Sequence, residues 1–263
     1  MYRMRTSNDD ATKNSCKEYE EIREKRELIM AVRRKKKRIL PRIFMLSMFV
    51  IIIVLGMYFF AESKKKDNKQ SFIQDSSKDY DVMVCVDAGH GGHDVGADAF
   101  GRYEKDDTLR FALALREELH KFGIGVYMTR GDDTYFSPKE RVEMAEKQDV
   151  KMLFSIHRNA YAGDKDVNGV EVWIHSQKPE DAVSLANDLL NNIEEIGHMN
   201  IRGIKSGTAE NPDEDYTINT SKLTSCIFEI GYITSEKDND YFDKDFDKNV
   251  QAAAIAIKNA VKK

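Results

Sequence analysis

Four prolines and three cysteines are few for a chain of 263 residues. So little proline, beside 41 Lys+Arg, 45 Asp+Glu and 41% hydrophobic residues, excludes a low-complexity chain and suits one or two modest folded domains. Two of the cysteines, Cys85 and Cys226, sit inside apolar strand-like runs and read as core thiols. A bridge between them needs Cα atoms within about 7 Å, which their spacing does not establish. Basic charge is also scarce where a nucleic acid would need it. Residues 62–263 carry 27 Lys+Arg against 38 Asp+Glu, a net of −11, so this body is not built to hold nucleic acid. Only residues 1–42 are basic, with 14 Lys+Arg against 7 Asp+Glu. No internal repeat is present.

One long uncharged run, IFMLSMFVIIIVLGMYFFA at residues 43–61, divides these two regions. At about 1.5 Å per helical residue it covers roughly a 30 Å hydrocarbon core, which predicts one transmembrane helix. The 42 residues before it exceed an ordinary signal-peptide n-region, and no small-x-small site follows, so the run reads as an uncleaved signal anchor. RRKKKR at Arg33–Arg38, with Arg42, outweighs Lys64–Lys66, which places the amino terminus in the cytoplasm and the rest outside. The expected organisation is a cytoplasmic basic tail (1–42), an anchor in the cytoplasmic membrane (43–61), a polar linker (62–80) and an extracytoplasmic catalytic domain (81–263).

Within that domain strands and helices alternate. VMVCVD (82–87), GVYMTR (125–130), LFSIH (153–157), GVEVWIHS (169–176) and SCIFEIG (225–231) are strand-like. Helices are predicted over 104–122, over 137–147 from the Ser137–Pro138–Glu140 capping signal, over 179–196 ending at Gly197, and over 248–261. The pattern predicts a single three-layer α/β domain with helices on the sheet faces.

The densest glycine cluster, DAGHGGHDVGA at Asp87–Ala97, follows the first strand. A nucleotide loop is excluded: Asp94 stands where the third glycine of G-x-G-x-x-G belongs, and no Gly-Lys-Ser/Thr follows. The loop instead offers His90 and His93. His157 ends a strand, Glu229 lies near the end of another and Glu104 opens a helix, so several of these groups can meet at the sheet's carboxyl edge. Two imidazoles and a carboxylate suit zinc with an open position for water. The spacing is nothing like H-E-x-x-H, and the residues alone leave a metal site and a metal-free cluster equally open.

VDAGHGGHDVGA, YEKD at 103–106, TR at 129–130, SIHRNA at 155–160, GVEVW, IRGIK and FEIGYIT, in this order, resemble the zinc-dependent N-acetylmuramoyl-L-alanine amidases of the third amidase class. The resemblance covers about residues 82–261. It implies a mixed, mostly parallel sheet, one Zn2+ held by His90, Glu104 and His157, and Glu229 as the catalytic carboxylate. It also implies hydrolysis of the amide between the lactyl group of N-acetylmuramic acid and L-alanine in peptidoglycan. Asn159 and Arg202 are candidates for substrate contact, and Asp87 for orienting His90 or its loop. The family's membrane-linked single-domain members include the spore-cortex amidases.

Three departures stand out. The usually small residue after His157 is Arg158, expected to face solvent or else an acidic group of the substrate. Asn200-Ile201-Arg202-Gly203 is one residue longer than the usual Asn-Arg-Gly, and Thr224 replaces a usual proline. His93, His120, His175 and His198 are expected at the surface or in packing, and Trp173 and Tyr161 in the core or at a rim, with sugar stacking as the alternative. With no wall-binding repeat read in this sequence, regulation is expected to come from a protein partner or from the anchor. The rival from another class is a catalytically silent peptidoglycan-binding or regulatory module.

Overall fold

A computed structural model describes residues 79–163 and 166–262, with Asp75 and three isolated helical positions, Lys25, Met30 and Leu55. The chain divides into two compact units, Met1–Asp67 and Asn68–Lys263. The expected tail and anchor therefore lie outside the described residues, save those three positions, as does most of the linker. Among the described residues no helix is long and apolar enough to cross a membrane.

The second unit is built on a six-stranded sheet. Its members are β1 (Val82–Ala88), β4 (Ile124–Met128), β5 (Met152–Asn159), β6 (Val170–Ile174), β7 (Ile201–Ser206) and β8 (Thr224–Tyr232), in the order β4-β1-β5-β8-β6-β7. Only β6 and β8 run antiparallel; every other neighbouring pair is parallel. Parallel strands with helices on both faces are buried on both sides, which is why Val82–Val86 of β1, all of β4 and Met152–Phe154 of β5 are continuous apolar runs rather than alternating ones. A two-stranded hairpin, β2 (Asp98–Ala99) and β3 (Arg102–Tyr103), precedes the first helix.

Two apolar cores lie on the two faces, and β1 feeds both by its period of two: Val84, Val86 and Ala88 into one, Met83 and Cys85 into the other. Helices α1 (Glu104–His120), α3 (Glu180–Ile196) and α5 (Phe246–Val261) contribute to the larger core. Helix α2 (Pro138–Glu146) and a 3-10 turn at Thr217–Thr220 close the smaller one. The expected three-layer fold with a mixed, mostly parallel sheet is thus present. Ser137 makes the full capping box with Glu140, and Gly197 ends α3 at φ 83°.

Two features differ from expectation, the elements not predicted and the start of the body, while the cysteines are the core thiols expected. Helix α4 (Glu236–Lys244) and edge strand β7 were not predicted as elements. Cys85 and Cys226 are buried free thiols: they lie on β1 and β8, which β5 separates, and they enter opposite cores. Two strand spacings make roughly 10 Å, too far for a disulfide. The body's contacts also begin upstream of Asp81. Asp75 donates its amide to Val126 O at 3.1 Å, and its carboxylate accepts from Val126 N at 2.8 Å and from Arg116 at 2.6 Å. It thereby covers the edge strand β4.

Candidate active site

The carboxyl ends of β1, β5 and β8 meet at one edge of the sheet, where open α/β sheets place their ligands. In the ladder His157 of β5 is opposite Glu229 of β8, and Glu229 is opposite Glu171 of β6, so three polar residues form one row across three strands. Beside that row stands the loop after β1. A Cβ on Gly89 would lie 2.4 Å from His157 Cε1, so only glycine lets the imidazole sit against this backbone. A Cβ on Gly96 would likewise strike Glu104 Oε2 at 2.6 Å and His90 Cδ2 at 2.7 Å. His90 itself adopts φ 62°, a left-handed conformation unusual outside glycine, so the loop is shaped to present this ring.

His90, Glu104 and His157 come together, each with a ligand atom within 4.8 Å of the others. His90 Nε2 is 3.0 Å and His157 Nδ1 2.9 Å from the same oxygen, Glu104 Oε1, and the two rings meet edge to face with centroids 4.9 Å apart. The other side of the His90 ring, Nδ1, is 2.9 Å from Asp94 Oδ2. Asp94 fixes the ring through Nδ1 and leaves Nε2 facing Glu104, where Nε2 donates to the carboxylate when protonated and would serve as a ligand beside it when a cation takes that proton's place. Burial alone favours the neutral acid at Glu104, yet the hydrogen bonds from His157 and His90 hold its carboxyl well below the usual range. The donor set therefore fits a divalent cation with N and O ligands.

Glu229 is different. Burial comes first, then the charges of Glu104 and Glu171, and together they push its carboxyl well above the ordinary value against the opposing pull of Arg158. Its Oε2 is buried with no hydrogen-bond partner among the described residues. An orphaned, proton-seeking oxygen in the ladder beside His157 is placed to exchange a proton with a group that binds there.

The remaining expected residues are distributed as follows. Asn159 donates to Glu171 Oε1 at 2.7 Å and Arg202 Nε to Glu171 Oε2 at 3.0 Å, so both meet on one buried carboxylate, which Trp173 Nε1 also contacts at 2.9 Å. Asp87 reaches the loop rather than the His90 ring. It is fully buried and accepts from Thr129 Oγ1 (2.5 Å), Ser155 Oγ (2.6 Å) and Arg141 Nη1 (2.8 Å). Arg141 in turn donates to the carbonyls of Ala88 and His90, and Arg130 to those of Ala88 and Gly89. Burial raises Asp87, but the Arg141 charge and the two hydroxyls override it and hold the acid at about 2.

Arg158, expected in solvent, is a correction. Residues alternate faces along a strand, so Arg158 joins Phe154 and Ile156 on the face that α1 covers. There it is 2% exposed, pairs with Asp107 at 2.5 Å, donates to Asn239 at 2.7 Å and lies 4.4 Å from the Phe242 ring centre. His93 packs 4.2 Å from the Tyr135 ring, and His120, His175 and His198 pair with Asp75, Asp215 and Asp245, all outside the trio. Asp94, Glu171, Arg130 and Arg141 escaped sequence reasoning as site residues; Glu171 and Arg130 lay inside the GVEVW and TR motifs.

Comparison with known proteins gives one family. The model of the N-acetylmuramoyl-L-alanine amidase family matches residues 84–263. The uncharacterized protein YqiI of Bacillus subtilis is 31% identical over 179 residues, covering 68% of this chain and 82% of YqiI. The probable cell wall amidase LytH of Staphylococcus aureus is 32% identical over 65% of this chain, which spans only 55% of LytH. Among solved structures, the N-acetylmuramoyl-L-alanine amidase AmiC2 of Nostoc punctiforme is 30% identical with a TM-score of 0.59, covering 69% of this chain and 98% of that one. The catalytic domain of CwlV, an amidase from Bacillus (Paenibacillus) polymyxa, is 28% identical with a TM-score of 0.61, again over 69% and 98%.

Proposed function

Because the chain belongs to the N-acetylmuramoyl-L-alanine amidase family, we propose that it is a zinc-dependent peptidoglycan hydrolase that cuts the amide between the N-acetylmuramic acid lactyl group and L-alanine. The observation that carries this reading is the convergence of His90, Glu104 and His157, with Glu229 next to His157 in the ladder.

His90, Glu104 and His157 would hold the zinc, and Asp94 would fix the His90 ring. When bound, the metal supplies a Lewis acid for the scissile carbonyl and lowers the pKa of water. Glu229 Oε2 takes the proton of the attacking water and returns it to the departing alanine nitrogen. Arg141 and Arg130 keep the His90 loop in place through its carbonyls. Glu171, fixed by Asn159, Trp173 and Arg202, lends its charge to keep Glu229 basic, so Asn159 and Arg202 act on the reaction through this carboxylate as well as by any contact with substrate.

The uncharged run at 43–61 and the basic cluster before it support a single-pass anchor in the cytoplasmic membrane with the catalytic domain outside, where peptidoglycan lies. A protein partner or the length of the tether would then limit where the enzyme cuts.

The test is to incubate the full-length chain in detergent with purified peptidoglycan and muropeptides, with chelator and with restored zinc, and to identify products by mass spectrometry. Stem peptides with a free L-alanine amino group and glycan with an intact muramic carboxylate are expected, only with metal. Cleavage within the peptide instead, or intact substrate with zinc-loaded protein, would refute the reaction.

A further inference from the structure

Three large apolar side chains of the second unit stand exposed among the described residues: Phe100 (52%), Tyr103 (46%) and Tyr161 (52%). All are aromatic, and all sit on segments leaving the site. Tyr103 immediately precedes Glu104, Phe100 is at the tip of the hairpin that ends there, and Tyr161 lies just past the strand that carries His157 and Asn159.

Phe100 is the most telling of the three. The ladder pairs Asp98 with Tyr103 and Ala99 with Arg102, leaving Phe100 and Gly101 as a two-residue turn with φ of 53° and 75°. Positive φ at both central positions calls for Asn, Asp or Gly at the first of them, and a Phe there strains the backbone while half its surface stays in water. The hairpin is otherwise firmly held: Arg102 pairs with Asp107 at 2.8 Å and Asp243 at 2.6 Å, and Ala97 N donates to Glu104 Oε2 at 2.9 Å. A strained, exposed aromatic at the tip of a rigid hairpin that leads directly into Glu104 is a placement that fold stability does not explain.

We propose that Phe100, with Tyr161, forms an aromatic rim that binds the glycan strand on the sugars flanking the muramic residue whose peptide is cut. The flat face of a pyranose presents C–H groups that pack on an aromatic ring, whereas stem peptides are short, charged and offer little flat apolar surface. The identity of the glycan rests on the amidase reading above, but the binding surface does not depend on turnover.

The test measures co-sedimentation of the full-length chain with purified peptidoglycan sacculi, for wild type, Phe100→Asn, Phe100→Tyr and Tyr161→Ala, beside thermal unfolding of each. Phe100→Asn relieves the turn and is expected to melt higher than wild type while binding sacculi about fivefold more weakly. Phe100→Tyr, which keeps the ring, should bind like wild type, and Tyr161→Ala should weaken binding without a change in unfolding. KM for multi-disaccharide glycans should rise in Phe100→Asn with kcat unchanged, and KM for a single-disaccharide muropeptide should hold. Wild-type protein that does not bind sacculi, or Phe100→Asn that binds as well as wild type, overturns the rim. Binding that depends on Phe100 in a protein that releases no stem peptide leaves the rim standing and overturns the reaction instead.

Discussion

At the residue scale the account turns on the different states of two carboxyls, Glu104 buried and Glu229 half-buried with its Oε2 enclosed. Glu104 is held ionised by two imidazoles, as a metal ligand must be, while Glu229 is pushed toward the proton by burial and by its acidic neighbours. Glu229→Gln keeps the shape and removes the base, so zinc should remain at one per chain while kcat falls by about 10²–10⁴. Metal analysis and initial rates check this, and a near-normal rate would remove Glu229 from the mechanism. His157→Ala should do the reverse and lose the metal; stoichiometric zinc in that variant would mean that another side chain, such as His93, completes the set. Asp94 was visible in the sequence only as a glycine that was missing. Its part became clear once the turn brought it to 2.9 Å from His90 Nδ1.

At the scale of elements, the buried ionic network under the glycine loop joins the loop to β1, β5 and α2 through Asp87 and Arg141. The folded-state pKa of Asp87, about 2, lies below its ordinary 3.8. Its contribution of about 2 kcal/mol is therefore complete above pH 4 and lost as pH falls through about 2. Asp87→Asn leaves the Arg141 guanidinium buried and uncompensated, and should cost about 3 kcal/mol in denaturant unfolding at pH 7 and flatten the acid limb of stability. Equal stability of the two proteins would show that the pair carries nothing. Strands were legible because buried parallel strands are apolar throughout, and α2 because its capping box is local. Strand β7 was not, since its six residues IRGIKS are nowhere fully buried, nor was α4, whose EKDNDYFDK is mostly polar. Arg158 was misjudged because its charge outweighed its place in the alternation of β5. The trio itself, with gaps of 14 and 53 residues between its members, follows from topology rather than spacing; the residues alone left it open, and the family resemblance pointed to it.

For the whole molecule, the long uncharged run and the acidic body argue for a tethered enzyme that works on one side of a membrane. Full-length protein should fractionate with membranes and be released by detergent, while a chain lacking residues 1–61 should stay in the supernatant; an equal distribution of both would contradict the anchor. The central claim is that one zinc per chain, held by His90, Glu104 and His157, is required for cleavage next to L-alanine. The most direct measurement strips the full-length enzyme with chelator and follows the release of stem peptides from peptidoglycan as zinc is returned in known equivalents. Activity should vanish on stripping, rise in proportion to the first equivalent and then level off. Undiminished peptide release from metal-free protein would contradict the account.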